Sequence, residues 1–276
     1  MNKITVNSPA KINLGLNIVG KREDGFHNLE TIFYPLKLSD KITFIKSDKF
    51  IFNTNNAFLN SEKTNLIIKA KDLLQNESNF NLDCNIYLKK DIPIGAGLGG
   101  GSSNAAITLT TLNQMFKLNF SNDKLAELAL QLGSDVPFFL NPVTSFGTSR
   151  GEIIEQISIK LKGYLLLVNP GIHINTKWAF QNLKKLSAEG SLKKTIKKII
   201  SGENCFNLIT NDFEQIVFDK FSQIKKIEVK LKEMGAYFSV MTGTGSTVYG
   251  IFNTKNEAET AMKKFPKEFF TYIETL

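Results

Sequence analysis

Two short segments hold the residues best suited to chemistry. In SPAKINLGLNIV (8–19) Lys11 interrupts an otherwise apolar strand, and in GSDVPFFL (133–140) Asp135 stands between a glycine and an aromatic run that stops at Asn141-Pro142. A lysine amid apolar neighbours must find a counter-charge, and Asp135 is the best partner the chain offers. Within ion-pair reach the ammonium would keep that carboxylate charged, the state in which it accepts a proton. Asp135 could instead cap a helix with Pro137 in its first turn, but so short a run leaves little helix to cap.

A third segment, PIGAGLGGGSSNAA (93–106), raises the question of an anion. Gly95, Gly97 and Gly100 fit the G-x-G-x-x-G template of dinucleotide-binding proteins. That reading needs a strand, a helix, a second parallel strand and then an acidic residue. Here a second helix, SNDKLAELALQLG, follows the first, and Asp123 opens it instead of ending a strand. A Walker A loop needs Gly-Lys-Ser or Gly-Lys-Thr, and this loop has Gly-Ser-Ser. What remains is physical: closely spaced glycines let backbone N–H groups face a ligand, and Ser102 or Ser103 can cap a helix whose Ala105, Ala106, Leu109 and Leu112 face a core. A bare turn before a capped helix would account for fewer glycines. So many, with a hydroxyl pair, favour a phosphate chain at the helix N-terminus.

Only His27 and His173 are available to a hydrolase, and no G-x-S-x-G elbow is present. Acyl transfer therefore recedes behind phosphoryl transfer, which needs positioning, charge neutralisation and one group to take the nucleophile's proton.

These segments must be positioned by an α+β chain. Alternation of apolar residues predicts strands near 3–18, 31–36, 42–52, 84–90 and 143–159, and helical periods fall at 64–76, 102–116 and 121–132. From Tyr164 the order is strand, lysine-rich helical region, helix (221–234), strand (AYFSVMTG), strand (STVYGIF), helix (255–264) and a short strand (FTYIETL). This βαββαβ succession predicts a ferredoxin-like second domain, with domains at 1–158 and 159–276.

Composition sets the class. With 276 residues, 42% hydrophobic and 22% charged, the chain reads as a soluble protein of one large or two ordinary domains. No run approaches the roughly 18 apolar residues of a membrane span, and the first residues lack a signal peptide's apolar core. Cys84 and Cys205 lack metal-ligand spacing and read as reduced thiols, so a cytoplasmic protein is expected. The net charge of +8 is almost all lysine, with arginine only at 22 and 150. The lysine tracts at 183–200 and 221–235 are interleaved with apolar residues at helical spacing, which predicts wet helix faces and no nucleic-acid surface.

Taken together the motifs resemble the GHMP small-molecule kinases. The glycine-serine loop is the shared feature. SPAKINLGLNIVGKREDGFHNLETIF (8–33), which pairs P-A-K-x-N with K-R-x-D-G-F-H, points to the branch acting on a cytidine diphosphate substrate. GSDVPFF, SRGEI (149–153), NPGIHINT (169–176), NDFE (211–214) and TGTGST (242–247) extend the likeness over nearly the whole chain.

The resemblance implies an N-terminal ribosomal-protein-like α/β domain before the ferredoxin-like one. It implies transfer of the ATP γ-phosphoryl group to a 2-hydroxyl on an erythritol moiety, with Asp135 as base and Lys11 orienting and activating the hydroxyl. Pro93, Gly95, Ala96, Gly97, Leu98, Gly99, Gly100, Gly101, Ser102 and Ser103 would cradle ATP, and Asn65 and Leu66 would lie near adenine. Asn13 is implied as a substrate contact, as are Gly243, Thr244 and Gly245. His27 would meet the cytosine edge, with Phe26 and Phe180 stacked on its two faces. Phe26 stands where the family often has tyrosine, which keeps stacking and loses a hydroxyl. Mg2+ is expected with ATP, with no protein ligand assigned, in a monomer or weak homodimer. Rival readings are another GHMP kinase acting on mevalonate, homoserine or a sugar, and a non-catalytic nucleotide- or nucleic-acid-binding protein.

Overall fold

The computed structural model describes residues 2–61, 65–159, 161–203 and 205–276. In chain order, the first elements are β1 (Lys3–Lys21), β2 (His27–Lys46), β3 (Ile51–Thr54), α1 (Ala57–Ser61), α2 (Leu66–Ser78), β4 (Cys84–Lys89), α3 (Gly100–Phe116) and α4 (Asn122–Leu132). There follow β5 (Ser145–Thr148), β6 (Ile153–Gln156), β7 (Tyr164–Asn169), α5 (Thr176–Gln181), α6 (Ser191–Ile200), α7 (Glu214–Lys220), α8 (Ser222–Glu233), β8 (Phe238–Met241), β9 (Val248–Phe252), α9 (Lys255–Met262) and β10 (Phe270–Thr275). Thr64, where the helix expected over 64–76 would begin, lies outside the described residues.

Packing divides the chain into two compact units that interleave in sequence. The first comprises residues 1–11, 35–94 and 99–142, and the second 12–34, 95–98 and 143–276. A cut at 158/159 separates segments of sequence, whereas the units exchange chain along β1, β2 and the glycine loop.

In the first unit β3 runs parallel to β4, from Ile51↔Asn85 to Thr54↔Leu88, and β4 runs antiparallel to the distal part of β2, from Lys41↔Lys89 to Lys46↔Cys84. Side chains alternate along a strand, so Leu36, Leu38, Ile42 and Phe44 share the buried face of β2, as Cys84, Ile86 and Leu88 share that of β4. The helices of this unit bury matching stripes: Ile67, Ala70 and Leu74 from α2, Ala105, Ala106, Leu109 and Leu112 from α3, and Leu125 and Leu128 from α4. Each large aliphatic side chain so buried is worth about 1.5–3 kcal/mol. Helix α4 starts where its sequence says, the Ser121 hydroxyl accepting the Lys124 N–H at 3.2 Å.

In the second unit the proximal part of β2 pairs antiparallel with β5 (Thr31↔Gly147), and β5 with β6 (Ser145↔Gln156). The other sheet has the order β10-β7-β9-β8 with every pairing antiparallel. Counted from β7, that order is 4-1-3-2, the ferredoxin-like arrangement expected from the βαββαβ succession. Leu166 and Val168 of β7, Val217 of α7, Ile224, Ile227 and Leu231 of α8, and Ala258 and Ala261 of α9 join one buried cluster.

Candidate active site

The Lys11–Asp135 pair expected from the sequence forms within the first unit. Lys11 lies on β1 with its side chain buried, and its Nζ stands 3.5 Å from Asp135 Oδ2. Asp135 is in a turn that leads into a short 3-10 helix, Pro137–Leu140, whose N-cap is Val136 and whose Phe138 and Phe139 are buried. The aspartate is therefore no helix cap, and its side chain remains 37% exposed. Burial pulls the Lys11 ammonium below its usual pKa, and the charge and hydrogen bond of Asp135 push back.

The glycine loop reaches the same pair. Helix α3 is capped by Gly99 in the left-handed conformation (φ 70°, ψ 11°), and its first turn carries no acidic residue. A Cβ at Gly99 would lie 2.7 Å from the Phe139 ring and 3.1 Å from Lys11 Cγ, so only glycine lets the helix start this close to the lysine stem. The expectation that Ser102 or Ser103 would cap α3 is corrected here: both lie inside the helix. The Ser103 side chain is buried and its hydroxyl accepts from Ser8 Oγ at 2.8 Å, which ties α3 to β1. An open helix N-terminus with positive φ at its cap is a natural seat for phosphate oxygens.

Asn65 turns out to be the N-cap of α2, its Oδ1 accepting the Ile67 N–H at 2.9 Å. Its buried Nδ2 has no protein partner, and Leu66 Cδ1 lies 3.5 Å from where a Gly101 Cβ would be.

In the second unit, a Cβ at Gly95 would lie 2.6 Å from His173 Nδ1, Leu98 is buried, and Ala96 and Gly97 pack on the TGTGST turn between β8 and β9. The Thr247 N–H donates to the Ala96 carbonyl at 3.4 Å, and the Thr242 hydroxyl to the Gly97 carbonyl at 3.2 Å. A Cβ at Gly97 would sit 2.3 Å from the Thr242 carbonyl oxygen, and one at Gly243 would meet the Gly97 backbone at 3.3 Å. Thr242 also accepts the Asn13 N–H at 2.9 Å, while Asn13 Nδ2 donates to Thr31 Oγ1 at 2.7 Å. Asn13 is thus built into the wall that carries the turn. Thr244 is at its tip, its hydroxyl 3.4 Å from that of Thr176, and Gly245 backs onto Met241 and Ile174.

His27 and Phe180 are brought together, their rings stacked at 5.0 Å and 27°, and Phe180 packs edge-on against Phe213. Phe26 is exposed, with the Arg150 guanidinium 4.6 Å over its ring. Arg22 Nη1 donates to Asn28 Oδ1 and Ser149 Oγ, so both arginines of the chain brace this hairpin. Burial, and next the charge of Lys21, lowers the pKa of His27, leaving a neutral ring with one donor and one acceptor.

Sequence reasoning missed the polar residues behind the TGTGST turn. Asn211 Nδ2 donates to the carbonyls of Met241 (2.7 Å) and Gly243 (2.8 Å), and the Glu214 carboxylate accepts the Met241 N–H at 2.8 Å. Only the NDFE likeness flagged them, since neither spacing nor alternation marks residues that work through backbone contacts. Burial, helped by the charge of Glu228 and opposed by the Met241 hydrogen bond and Lys232, pushes Glu214 up to about 7 from its ordinary 4.5. A folded-state pKa above the unfolded one stabilises most below pH 4.5, and that contribution fades as pH rises to about 7. The loss is of order 3 kcal/mol. Glu214→Gln keeps an acceptor for Met241 without the charge, so its Tm relative to the parent is expected to rise by roughly 5 °C between about pH 5 and about pH 8. Thermal melts at both pH values check this, and a difference independent of pH would contradict it.

The family description "GHMP kinases N terminal domain" matches residues 65–141, which span α2, the glycine loop and Asp135, and "GHMP kinases C terminal" matches residues 191–271. A protein of Pelodictyon phaeoclathratiforme named 4-diphosphocytidyl-2-C-methyl-D-erythritol kinase is 40% identical over 98% of this chain and 96% of its own length. The chain belongs to the GHMP kinase family. A Bacteroides fragilis protein of the same name is 42% identical over 90% of this GHMP kinase and 92% of its own length. A solved 4-(cytidine 5'-diphospho)-2C-methyl-D-erythritol kinase superimposes with a TM-score of 0.83 at 26% identity, over 98% of each chain. A homoserine kinase of Cytophaga hutchinsonii, 16% identical with a TM-score of 0.72 over 100% of this chain and 95% of its own, shares the fold. Among the described residues no helix of this GHMP kinase is long and apolar enough to cross a membrane.

Proposed function

We propose that this GHMP kinase transfers the γ-phosphoryl group of ATP to the 2-hydroxyl of 4-diphosphocytidyl-2-C-methyl-D-erythritol. The observation that carries the reading is the buried Lys11 paired at 3.5 Å with Asp135, its stem against the Gly99 cap of α3. One group takes the proton, one cation lies beside the reacting oxygens, and a helix N-terminus holds the donor: these are the parts phosphoryl transfer requires.

The O–H bond of the acceptor breaks as its proton passes to Asp135, the oxygen forms a bond to the γ-phosphorus, and the bond from that phosphorus to the β-γ bridging oxygen breaks to release ADP. The Lys11 ammonium orients the acceptor hydroxyl and stabilises the developing alkoxide. The backbone N–H groups at the start of α3 and the glycines from Gly95 to Gly101 hold the phosphates, and Asn65 with Leu66 borders the adenine. Gly243, Thr244, Gly245 and Asn13 serve the acceptor.

Mg2+ would arrive with the nucleotide, held chiefly by phosphate oxygens. That fits a chain in which the described residues form no group of three metal-ligating side chains and in which the Ser103 hydroxyl is engaged by Ser8. Ser102 is the side-chain oxygen that would complete its shell, and the ion would neutralise charge on the phosphates.

For the cytidine end we place the base against Phe26 and Phe180, with the neutral His27 ring offering the donor and acceptor that the cytosine edge needs. His27→Ala is expected to raise KM for the cytidine substrate about tenfold, one base-edge contact being worth about 1–3 kcal/mol, with KM for ATP within about twofold. Steady-state kinetics in both substrates checks it, and equal weakening of both would contradict the assignment.

The reading is tested by ADP release with the cytidine diphosphate substrate against CMP, mevalonate and homoserine. Turnover confined to mevalonate or homoserine would move the chain to another branch of the family.

A further inference from the structure

The phosphate-holding loop needs a fixed shape, and the first unit contains a device that imposes one. Asp40 lies on β2 at the parity of Leu38 and Ile42, on the buried face, and is 0% exposed. Its Oδ1 accepts the backbone N–H groups of Asp91 and Ile92, each at 2.8 Å, where the chain enters the glycine loop. Its Oδ2 accepts Lys90 Nζ at 2.8 Å and Asn104 Nδ2 at 3.0 Å, the latter one turn into α3. Lys90 Nζ also donates to the Ile92 carbonyl, and a Cβ at Gly100 would come within 3.1 Å of both Lys90 Nζ and Ile92 Cγ2. One carboxylate thus binds the segment that leads from β4 into the loop and the helix that leaves it.

We propose that Asp40 is a positioning residue for ATP, holding the glycine loop and the start of α3 in the form that receives the phosphates. This rests on the kinase reading above. Fold stability alone does not account for the cluster, because a buried ion pair is on average no better than a well-packed apolar replacement. What the pair supplies is direction, with four donors converging on two oxygens at both ends of one loop.

Asp40→Asn makes the test sharp because geometry and electrostatics predict opposite signs. The new NH2 faces the donors of Lys90 and Asn104, so the loop is pushed out of shape. Loss of the carboxylate also leaves the Lys90 charge uncompensated beside the helix start. Were charge the main effect, ATP would bind more tightly. Positioning predicts that KM for ATP, and Kd for a non-hydrolysable ATP analogue measured by calorimetry, rise about tenfold, as expected for one misdirected charge-assisted hydrogen bond, while KM for the cytidine substrate stays within about twofold.

The double variant Asp40→Asn/Lys90→Met removes the competing ammonium and restores the net charge. Asn104 Oδ1, buried and without a protein partner, can then turn to accept from the new carboxamide. ATP affinity is expected to recover to within about threefold of the parent. Asn104→Leu cuts only the tie to α3, leaves the ion pair intact, and should raise the analogue Kd about threefold even if Asp40→Asn fails to fold.

Unchanged or tighter ATP binding in Asp40→Asn, or an unchanged analogue Kd in Asn104→Leu, overturns the proposal. If the parent binds the analogue and turns over none of the acceptors, the kinase reading fails while the analogue series still decides the role of Asp40.

Discussion

Replacing Asp135 by Asn is expected to lower kcat by at least about 10²-fold, the low end for loss of a general base, while KM for ATP and the thermal midpoint change little. The aspartate side chain is 37% exposed and caps no helix, so an isosteric carboxamide costs the fold almost nothing. In the proposed site ATP is held by backbone N–H groups that the substitution leaves in place. What disappears is the carboxylate beside Lys11 that we propose takes the hydroxyl proton. Transfer would then depend on solvent as base, and the loss should fall on kcat rather than on either KM. Turnover within about threefold of the parent would remove Asp135 from the role, since no general-base contribution is that small. A collapse of the thermal midpoint would show instead that the carboxylate matters to the fold.

The same physics decides what could be read from residues and what could not. Lys11 and the α3 stripe were visible because burial leaves a pattern: a charge in an apolar strand demands a partner, and Ala105, Ala106, Leu109 and Leu112 recur at helical spacing. The β10-β7-β9-β8 sheet was visible as well, because its strands are short and bounded by turn residues.

Where alternation runs on without a break, element limits disappear. The segments at 31–36 and 42–52 proved to be one strand, His27–Lys46, followed by the separate β3, and 143–159 proved to be two strands around the turn at Ser149–Glu152. The lysine-rich region at 183–200 is helical only from Ser191, because Gly190 in the left-handed conformation starts α6 there.

The cap of α3 was misassigned for a related reason. Serine is the usual cap, but the close approach of Lys11 and Phe139 admits only glycine at residue 99. The interleaving of the two packing units has no local signature at all. Asp40 did carry a signal of the kind that exposed Lys11, a charge at a buried parity, and it went unread because four of its bonds are made to segments distant in sequence.

Lys11→Met separates catalysis from stability in the opposite sense to intuition. The ammonium is buried and its pKa is pulled down by that burial, so the folded protein already bears a desolvation cost at this position. Methionine matches the stem that lies against Gly99 and removes the cost. Asp135, more exposed, keeps access to water and is not stranded as a buried unpaired charge. The thermal midpoint is therefore expected to hold or rise by a few degrees, since apolar replacement of a buried ionic group is often neutral or stabilising by about 1–4 kcal/mol.

Catalysis should move the other way. Without the ammonium the alkoxide loses its stabilising charge, and kcat is expected to fall by about 10²–10³-fold, the size of one lost electrostatic contact to a developing oxyanion. Lys11→Arg should not restore it, because a planar guanidinium fork does not reproduce the compact point charge of an ammonium. Melting curves and single-turnover rates on the same preparations decide the matter. A variant that is both slower and much less stable would mean that the lysine holds the fold together, and one of undiminished rate would leave Asp135 without its partner in the chemistry.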